Sequence, residues 1–322
     1  MIRLPGFAAP ITFGGMSVYR AVSGVSGAVS GLVSGAPSGG GGIAYASLAD
    51  TALQTLARCE AAARTSRVPL VFSHLTALNL LGIEPPLNCT LDESLLHVAV
   101  RDRRRRRRRR GMGIHLWEPE YESRMIADSV ECVDALTAWA QMSPYVTLGE
   151  LVVLGDSLMR RDPRLRQCSS EDFARFLRTA GPFRGKASCV KALRFMMDGT
   201  DSSWETRVRL ALRYFGLPEA IPNYAVFDEQ LGFDLHIDLA YPDCKVGIEF
   251  QGDHHRTSKR QYAFDQRKKR NLEYQDWRII PVVAGDLASE RLCRELAVIV
   301  AAALGRRLPE RPVARYRGLV LF

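Results

Sequence analysis

The stretch from Ile237 to Gln251 sets two carboxylates, Asp238 and Glu249, eleven positions apart around a turn between apolar runs. Acids gathered at a strand crossing can hold a hard divalent cation. Mg²⁺ takes oxygen from one or two carboxylates and keeps its other positions for water and a substrate phosphate, a minimal apparatus for phosphodiester hydrolysis. The elements that must position the acids are legible around them. HIDLAY reads as a short strand carrying Asp238, Pro242-Asp243 as the turn, and KVGIEFQG as a buried strand with Val246, Ile248 and Phe250 on the face opposite Glu249 and Gln251. Taken alone, the spacing also suits an edge hairpin whose acids are merely solvated, so the surroundings decide.

Upstream, Ser202-Ser203-Trp204-Glu205 opens a helix with Glu205 in its first turn and Leu210, Leu212 and Phe215 as candidate core positions. Downstream, Gly252-Asp253-His254-His255 leads into a basic amphipathic helix and then the strand WRIIPVV. Helix, strand, strand carrying Glu-x-Gln, helix, strand predicts an α/β sandwich. In this order the residues resemble the PD-(D/E)XK nuclease superfamily, and specifically an endonuclease-like domain of unknown function related to very-short-patch repair nucleases and common in actinobacterial proteins. The resemblance spans residues 198–305 and is most specific from Ile237 through Trp277-Arg278-Ile279-Ile280, where IEFQGDHH, Asp265-x-Arg267 and the closing strand occur in family order.

The resemblance implies a restriction-endonuclease-like α/β/α sandwich with a mixed sheet, binding Mg²⁺ or Mn²⁺ through Asp238 and Glu249, with Glu205 as a supporting helical acid. The superfamily pattern has Lys two residues after the second acid, where this chain has Gln251. A neutral amide can hydrogen-bond to an attacking water but cannot polarise it as a cation does. Lys268 and Lys269 on the next helix are the candidates for that charge, and Asp265 for an acid supporting them. Adjacent side chains on an extended segment point to opposite sides, so only one of His254 and His255 can face the acids. His255 is the choice, as proton donor or general base beside a metal-bound phosphate, with helix capping as its alternative role. No cysteine stands nearby at a zinc-ligand spacing, which argues against zinc.

A chain of 322 residues suggests about two domains. Residues 1–46 are rich in Gly, Ser and Ala with repeated Val-Ser-Gly units, the composition of a flexible arm. Residues 47–190 have the texture of a smaller α+β domain, and residues 306–322 read as a C-terminal tail. Within the α+β region SLADTALQTLARCEAAART is a helix by its apolar spacing. PLVFSHLTALNLLGIEPP starts extended and turns helical from a Ser73 cap, ending near Gly82. LLHVAV and MGIHLWEP read as strands. Through Ser73-His74-Leu75-Thr76-Ala77, Leu96-His97-Val98-Ala99-Val100 and LGELVVLGDSLMRR this region resembles AbiEi-type antitoxin and transcriptional-regulator proteins. The winged helix of a full antitoxin is not evident. With no uninterrupted apolar span and no signal-like start, the expectation is a cytoplasmic protein without membrane contact. Seven scattered cysteines without a CxxC fit reduced, mostly buried thiols.

Between those two strands lie eight consecutive arginines, Arg103, Arg104, Arg105, Arg106, Arg107, Arg108, Arg109 and Arg110. Removing eight charges from the formal +9 leaves about +1, so the basic balance is a local patch. Such a run belongs in a solvated loop, read here as the tip of a hairpin, and guanidinium groups match phosphate geometry. Arg256, Lys259, Arg260, Arg267, Lys268, Lys269 and Arg270 add a basic helix. Two functions fit: a metal-dependent endonuclease acting on nucleic acid, with DNA the favoured substrate, or a catalytically inactive antitoxin-like regulator that keeps the nuclease fold and its nucleic-acid affinity. A toxin or defence-system partner is compatible with either. No GxSxG elbow, phosphate-cradling Gly-Lys-Ser/Thr loop or dinucleotide fingerprint appears.

Overall fold

A computed structural model describes residues 45–163, 165–252 and 259–319. Residues 1–44 of the expected flexible arm, His254, His255 and Arg256 lie outside the described residues, while Tyr45 and Ala46, expected in the arm, begin the first helix. The chain is mixed α/β, with two mixed sheets.

The first sheet has the order β3-β2-β1-β5-β4, formed by β1 (Val71–Phe72), β2 (Leu96–Val100), β3 (Met112–Leu116), β4 (Ser123–Ala127) and β5 (Val130–Val133). Helices α1 (Tyr45–Thr65), α2 (His74–Leu80), α3 (Ala135–Met142), α4 (Leu148–Leu158), α5 (Ser170–Thr179) and α6 (Lys186–Leu193) accompany it. Local chemistry marks the helix starts. Asp134 accepts the Thr137 N–H, Thr147 accepts the Glu150 N–H, and Ser169 forms a reciprocal capping box with Asp172, each cap being worth about 0.5–2 kcal/mol. Leu56, Phe72, Leu78, Trp139, Leu151, Leu154 and Phe173 form one apolar core. The Trp139 indole N–H inside it donates to the Leu151 carbonyl at 2.9 Å.

The second sheet has the order β6-β7-β8-β9, with β6 (Ile221–Asp228), β7 (Phe233–Tyr241), β8 (Val246–Phe250) and β9 (Arg278–Val282). Neighbours are antiparallel except β8 and β9, which run parallel. Val246, Ile248 and Phe250 pack with Val208, Leu212 and Phe215 of α7 (Ser203–Tyr214) and its following residue. Leu235, Ile237 and Ala240 instead meet Leu272 of α8 (Lys259–Tyr274) and Trp277. Leu296, Ala297 and Val300 of α9 (Glu290–Ala303) complete the α7 side, so helices cover both faces of the sheet.

Two buried arginines join the halves. Arg207 grips Glu150 of α4 with two hydrogen bonds of 2.8 Å, while Arg209 reaches Asp156 at 2.7 Å. Asp156 also accepts from the Thr206 hydroxyl and the Met197 N–H. Burial pushes the Asp156 carboxyl upward, and Arg209 is the chief opposing influence. Leu210 of α7 belongs to the first core, so the junction is part apolar and part ionic.

Three expectations change. The strands flanking the arginines do not form a hairpin: β2 and β3 pair in parallel, Leu96 opposite Met112 and Val100 opposite Leu116. Alternating apolar strands permit either direction, and the connection over residues 101–111 is long enough to run back along a five-residue strand, about 16 Å. Ser73 stands at the N-cap position of α2 but caps nothing, because its hydroxyl is turned to His74 Nδ1 at 2.9 Å. The expected C-terminal tail packs back: Ala314–Leu319 is a short 3-10 segment whose Tyr316 and Leu319 sit in the first core. All seven cysteines are free thiols; Cys244 alone is exposed. Among the described residues no helix is long and apolar enough to cross a membrane.

Candidate active site

The turn between β7 and β8 is a 3-10 turn over Pro242–Cys244 closed by Lys245 in the left-handed region. Its ladder pairs Tyr241 with Val246 and Leu239 with Ile248. One further step of that register sets Asp238 across from Glu249. There the regular ladder has ended, and the Phe250 N–H donates to Asp238 Oδ2 at 2.8 Å. A carboxylate thus takes a place that a backbone carbonyl would fill in a continued sheet, and the strand opening becomes an acidic niche.

Glu205 approaches from the first turn of α7. Its N–H is capped by Ser202 Oγ, and its Oε2 accepts from the Asp201 N–H at 3.0 Å and from Asn223 Nδ2 at 3.2 Å. The ring of Trp204 beside it stacks on Phe250 at 5.0 Å between centroids, with the Arg207 guanidinium 4.9 Å above the indole. Burial first, and the Asp238 charge second, hold the Glu205 carboxyl well above the usual carboxylate range.

The cation of the niche comes from α8. Lys268 is buried and its Nζ lies 2.8 Å from Glu249 Oε2. Lys269, the other candidate, faces Glu273 at 3.8 Å. Burial favours a neutral amine at Lys268, but Glu249, Asp238 and Asp265 outweigh it and raise the group above its ordinary value. Burial and the Asp238 charge push Glu249 up to about 8, with Lys268 pulling the other way. The other Glu249 oxygen, Oε1, is buried with no hydrogen-bond partner among the described residues. Gln251 is exposed, and its backbone N–H continues the sheet to the Val282 carbonyl at 2.7 Å.

The structure therefore gathers Asp238, Glu249, Lys268 and, from the helix side, Glu205. It leaves Gln251 at the surface. Among the described residues no group of three or more His, Cys, Asp or Glu side chains is arranged to hold a metal ion. What the niche offers a hard cation is the Asp238–Glu249 pair with one unpartnered oxygen, which suits an ion that keeps most of its coordination for water and phosphate. Sequence reasoning missed Asn223, which bonds Glu205 from a backbone φ of +48°, a conformation that asparagine tolerates and that is the one local signal of it.

The basic residues divide. On α8, Arg267 and Arg270 are exposed. In the arginine run, Arg103–Arg105 form a 3-10 turn capped by Asp102, whose side chain accepts the Arg104 N–H. All eight are exposed except Arg109, which is half-buried and donates to Ser66 Oγ at 3.1 Å. This run belongs to the first sheet and the acids to the second. Compared with protein-family models, curated proteins and solved structures, the chain matches none.

Proposed function

We propose that the chain is a metal-dependent endonuclease of the PD-(D/E)XK type acting on nucleic acid, with DNA as its substrate. The observation that carries the reading is the niche at the opened β7–β8 ladder, where Asp238 and Glu249 face each other with an ammonium on one side and a bare carboxylate oxygen on the other. Asp238 and Glu249 would hold Mg²⁺ or Mn²⁺, and the ion would supply Lewis acidity toward the scissile phosphate and an acidified water.

The chain's own residues do the rest. Asp238 is held in place by the Phe250 N–H, which fixes the carboxylate that would face the ion. Lys268 stands where a positive charge can orient an attacking water or offset developing charge on phosphate, the task that Gln251 cannot perform. Glu205, whose carboxyl burial and the Asp238 charge hold well above the usual range, is fixed by the Asp201 N–H and Asn223 Nδ2 and would order water at the edge of the niche. The exposed arginines of the β2–β3 connection and of α8 would hold the phosphate backbone.

A second reading has its own support. The Lys268 ammonium already occupies Glu249 Oε2 at 2.8 Å, which suits a protein that binds nucleic acid without cutting it, as an antitoxin-like regulator would. Supercoiled plasmid incubated with the full chain separates the two. The endonuclease reading expects nicking with Mn²⁺ or Mg²⁺, none in EDTA, and none from Glu249→Gln. Binding without nicking under either ion refutes it in favour of the regulator.

A further inference from the structure

Three of the six histidines of the chain converge far from the acids in sequence, at the first sheet. His97 lies on β2 and His115 on β3, and His97 Nδ1 is 2.9 Å from His115 Nε2. His97 Nε2 is 3.1 Å from the Asp92 carbonyl, and the Tyr145 hydroxyl is 3.4 Å from His115 Nδ1. The ring of His74 lies 3.9 Å from that of His115, centroid to centroid.

The direction of every proton in this chain follows from one fact: a carbonyl only accepts. His97 Nε2 must carry its hydrogen and give it to Asp92. In the neutral form that burial favours at all three imidazoles, His97 Nδ1 has no hydrogen and accepts. His115 Nε2–H is then the donor, and His115 Nδ1 is bare toward the Tyr145 hydroxyl. A phenol faces a base whose far nitrogen is held by a second imidazole, the arrangement of a nucleophile, its base and the group that orients the base.

The fold gives up local stability to keep this arrangement. His74 is buried at φ +51°, a left-handed backbone that only a few per cent of non-glycine residues adopt. Ser73 leaves α2 uncapped in order to bond His74. Gly113 stands opposite His97 in the β2–β3 register, and a Cβ there would lie 2.7 Å from His97 Nδ1 and 3.2 Å from His115 Nε2. Only glycine lets the two rings meet. The strand also begins where the arginine connection ends, and the Arg184 guanidinium lies 6.0 Å from the centre of the Tyr145 ring.

We propose that Tyr145, His115 and His97 form a second, metal-free phosphoryl-transfer site, in which the Tyr145 hydroxyl attacks a nucleic-acid phosphodiester held by the neighbouring arginines. The Tyr145 Oη–P bond forms and the bond from phosphorus to the leaving sugar oxygen breaks. The phenolic proton passes to His115 Nδ1 and from there to the leaving oxygen, while His97 keeps its bond to His115 Nε2–H. One phosphoester is exchanged for another, and no water, metal or oxidant is consumed. The product is a strand joined to Tyr145 and a free hydroxyl end. This site goes beyond the acidic niche and does not depend on it.

The test incubates the full chain in EDTA with single-stranded DNA and RNA oligonucleotides labelled at either end, quenches in detergent, and reads label carried by the denatured protein, with peptide mass locating it. The expected result is an adduct on Tyr145 with at least one polymer. Tyr145→Phe keeps the ring beneath Arg184 and should abolish the adduct without shifting the melting temperature. His115→Gln, and Gly113→Ala as a positioning change, should each lower the rate of adduct formation by roughly 10²-fold or more while leaving oligonucleotide affinity unchanged. No adduct from the wild type with either polymer, or an adduct that survives Tyr145→Phe, overturns the proposal. Because EDTA silences the acidic niche, either site can fail without the other.

Discussion

Binding of a divalent cation to the acidic niche should depend on pH in a way set by Glu249. In the metal-free protein that carboxyl titrates at about 8, so below this value it holds a proton that a cation must expel. Well below 8 each pH unit weakens the ion about tenfold, and at pH 8 half of the carboxyl is still protonated, so raising the pH from 6 to 8 should tighten Mn²⁺ about fiftyfold, or ~2.3 kcal/mol. Calorimetric titration with Mn²⁺ at pH 6, 7 and 8, in two buffers of different protonation heat, reads both affinity and released protons. Release should be close to one proton at pH 6 and about half a proton at pH 8. Glu249→Gln keeps the shape but cannot become anionic, so it should remove binding and proton release together. A Mn²⁺ affinity that is flat from pH 6 to 8, or binding that persists unaltered in Glu249→Gln, would refute the reasoning.

The same group fixes the sign of a stability effect in the metal-free protein. Its folded value lies above the ordinary 4.5, so stability is greatest below about pH 4.5 as far as Glu249 is concerned and is lost as pH rises toward 8; denaturant melts across that window should show the fall, and Glu249→Gln should flatten it. Lys268→Gln should keep the Mn²⁺-induced rise in melting temperature but lose plasmid nicking, and nicking at the wild-type rate would remove Lys268 from the mechanism. Replacing Arg103 to Arg110 by Gly and Ser should lower the slope of log K against log salt on duplex DNA by about 3–4, at roughly 0.9 per phosphate contact with half of the arginines engaged. Arg207→Ala strands the buried Glu150 carboxylate and should cost about 3–5 kcal/mol in urea unfolding.

The acids were readable because their signal is local: a period-two apolar run, a Pro-Asp turn and a second apolar run place Asp238 and Glu249 without distant information. The helix starts were readable for the same reason, as with Ser202 accepting from Glu205. Lys268 could be shortlisted but not chosen, since its contact with Glu249 depends on how α8 crosses the sheet. The direction of β3 relative to β2 was hidden because parallel and antiparallel partners share one alternation. Arg207 and Arg209 carried a misleading signal, as charges on a helix ordinarily face water, yet both are buried against acids of α4. The histidine relay was hidden although His74 and His97 stand in two of the stretches that carry the antitoxin resemblance, because nothing in those stretches shows that their rings approach one another. Its members come from three separate elements and from the residue Tyr145 between α3 and α4, and Gly113 was the only local mark of their approach.

The ionic half of the junction also makes the molecule unequal to cut. A fragment starting near Ser202 would carry Arg207 and Arg209 into water, where guanidinium groups are at home. Its complement would keep Glu150 and Asp156 in α4, with side chains 3% and 0% exposed and their cations gone. That complement would also lack Tyr316 and Leu319, which the chain returns to its core from the far end. The two sheets are therefore not independent cassettes. The second can be detached with its charges solvated, while the first is completed only by the chain that follows it.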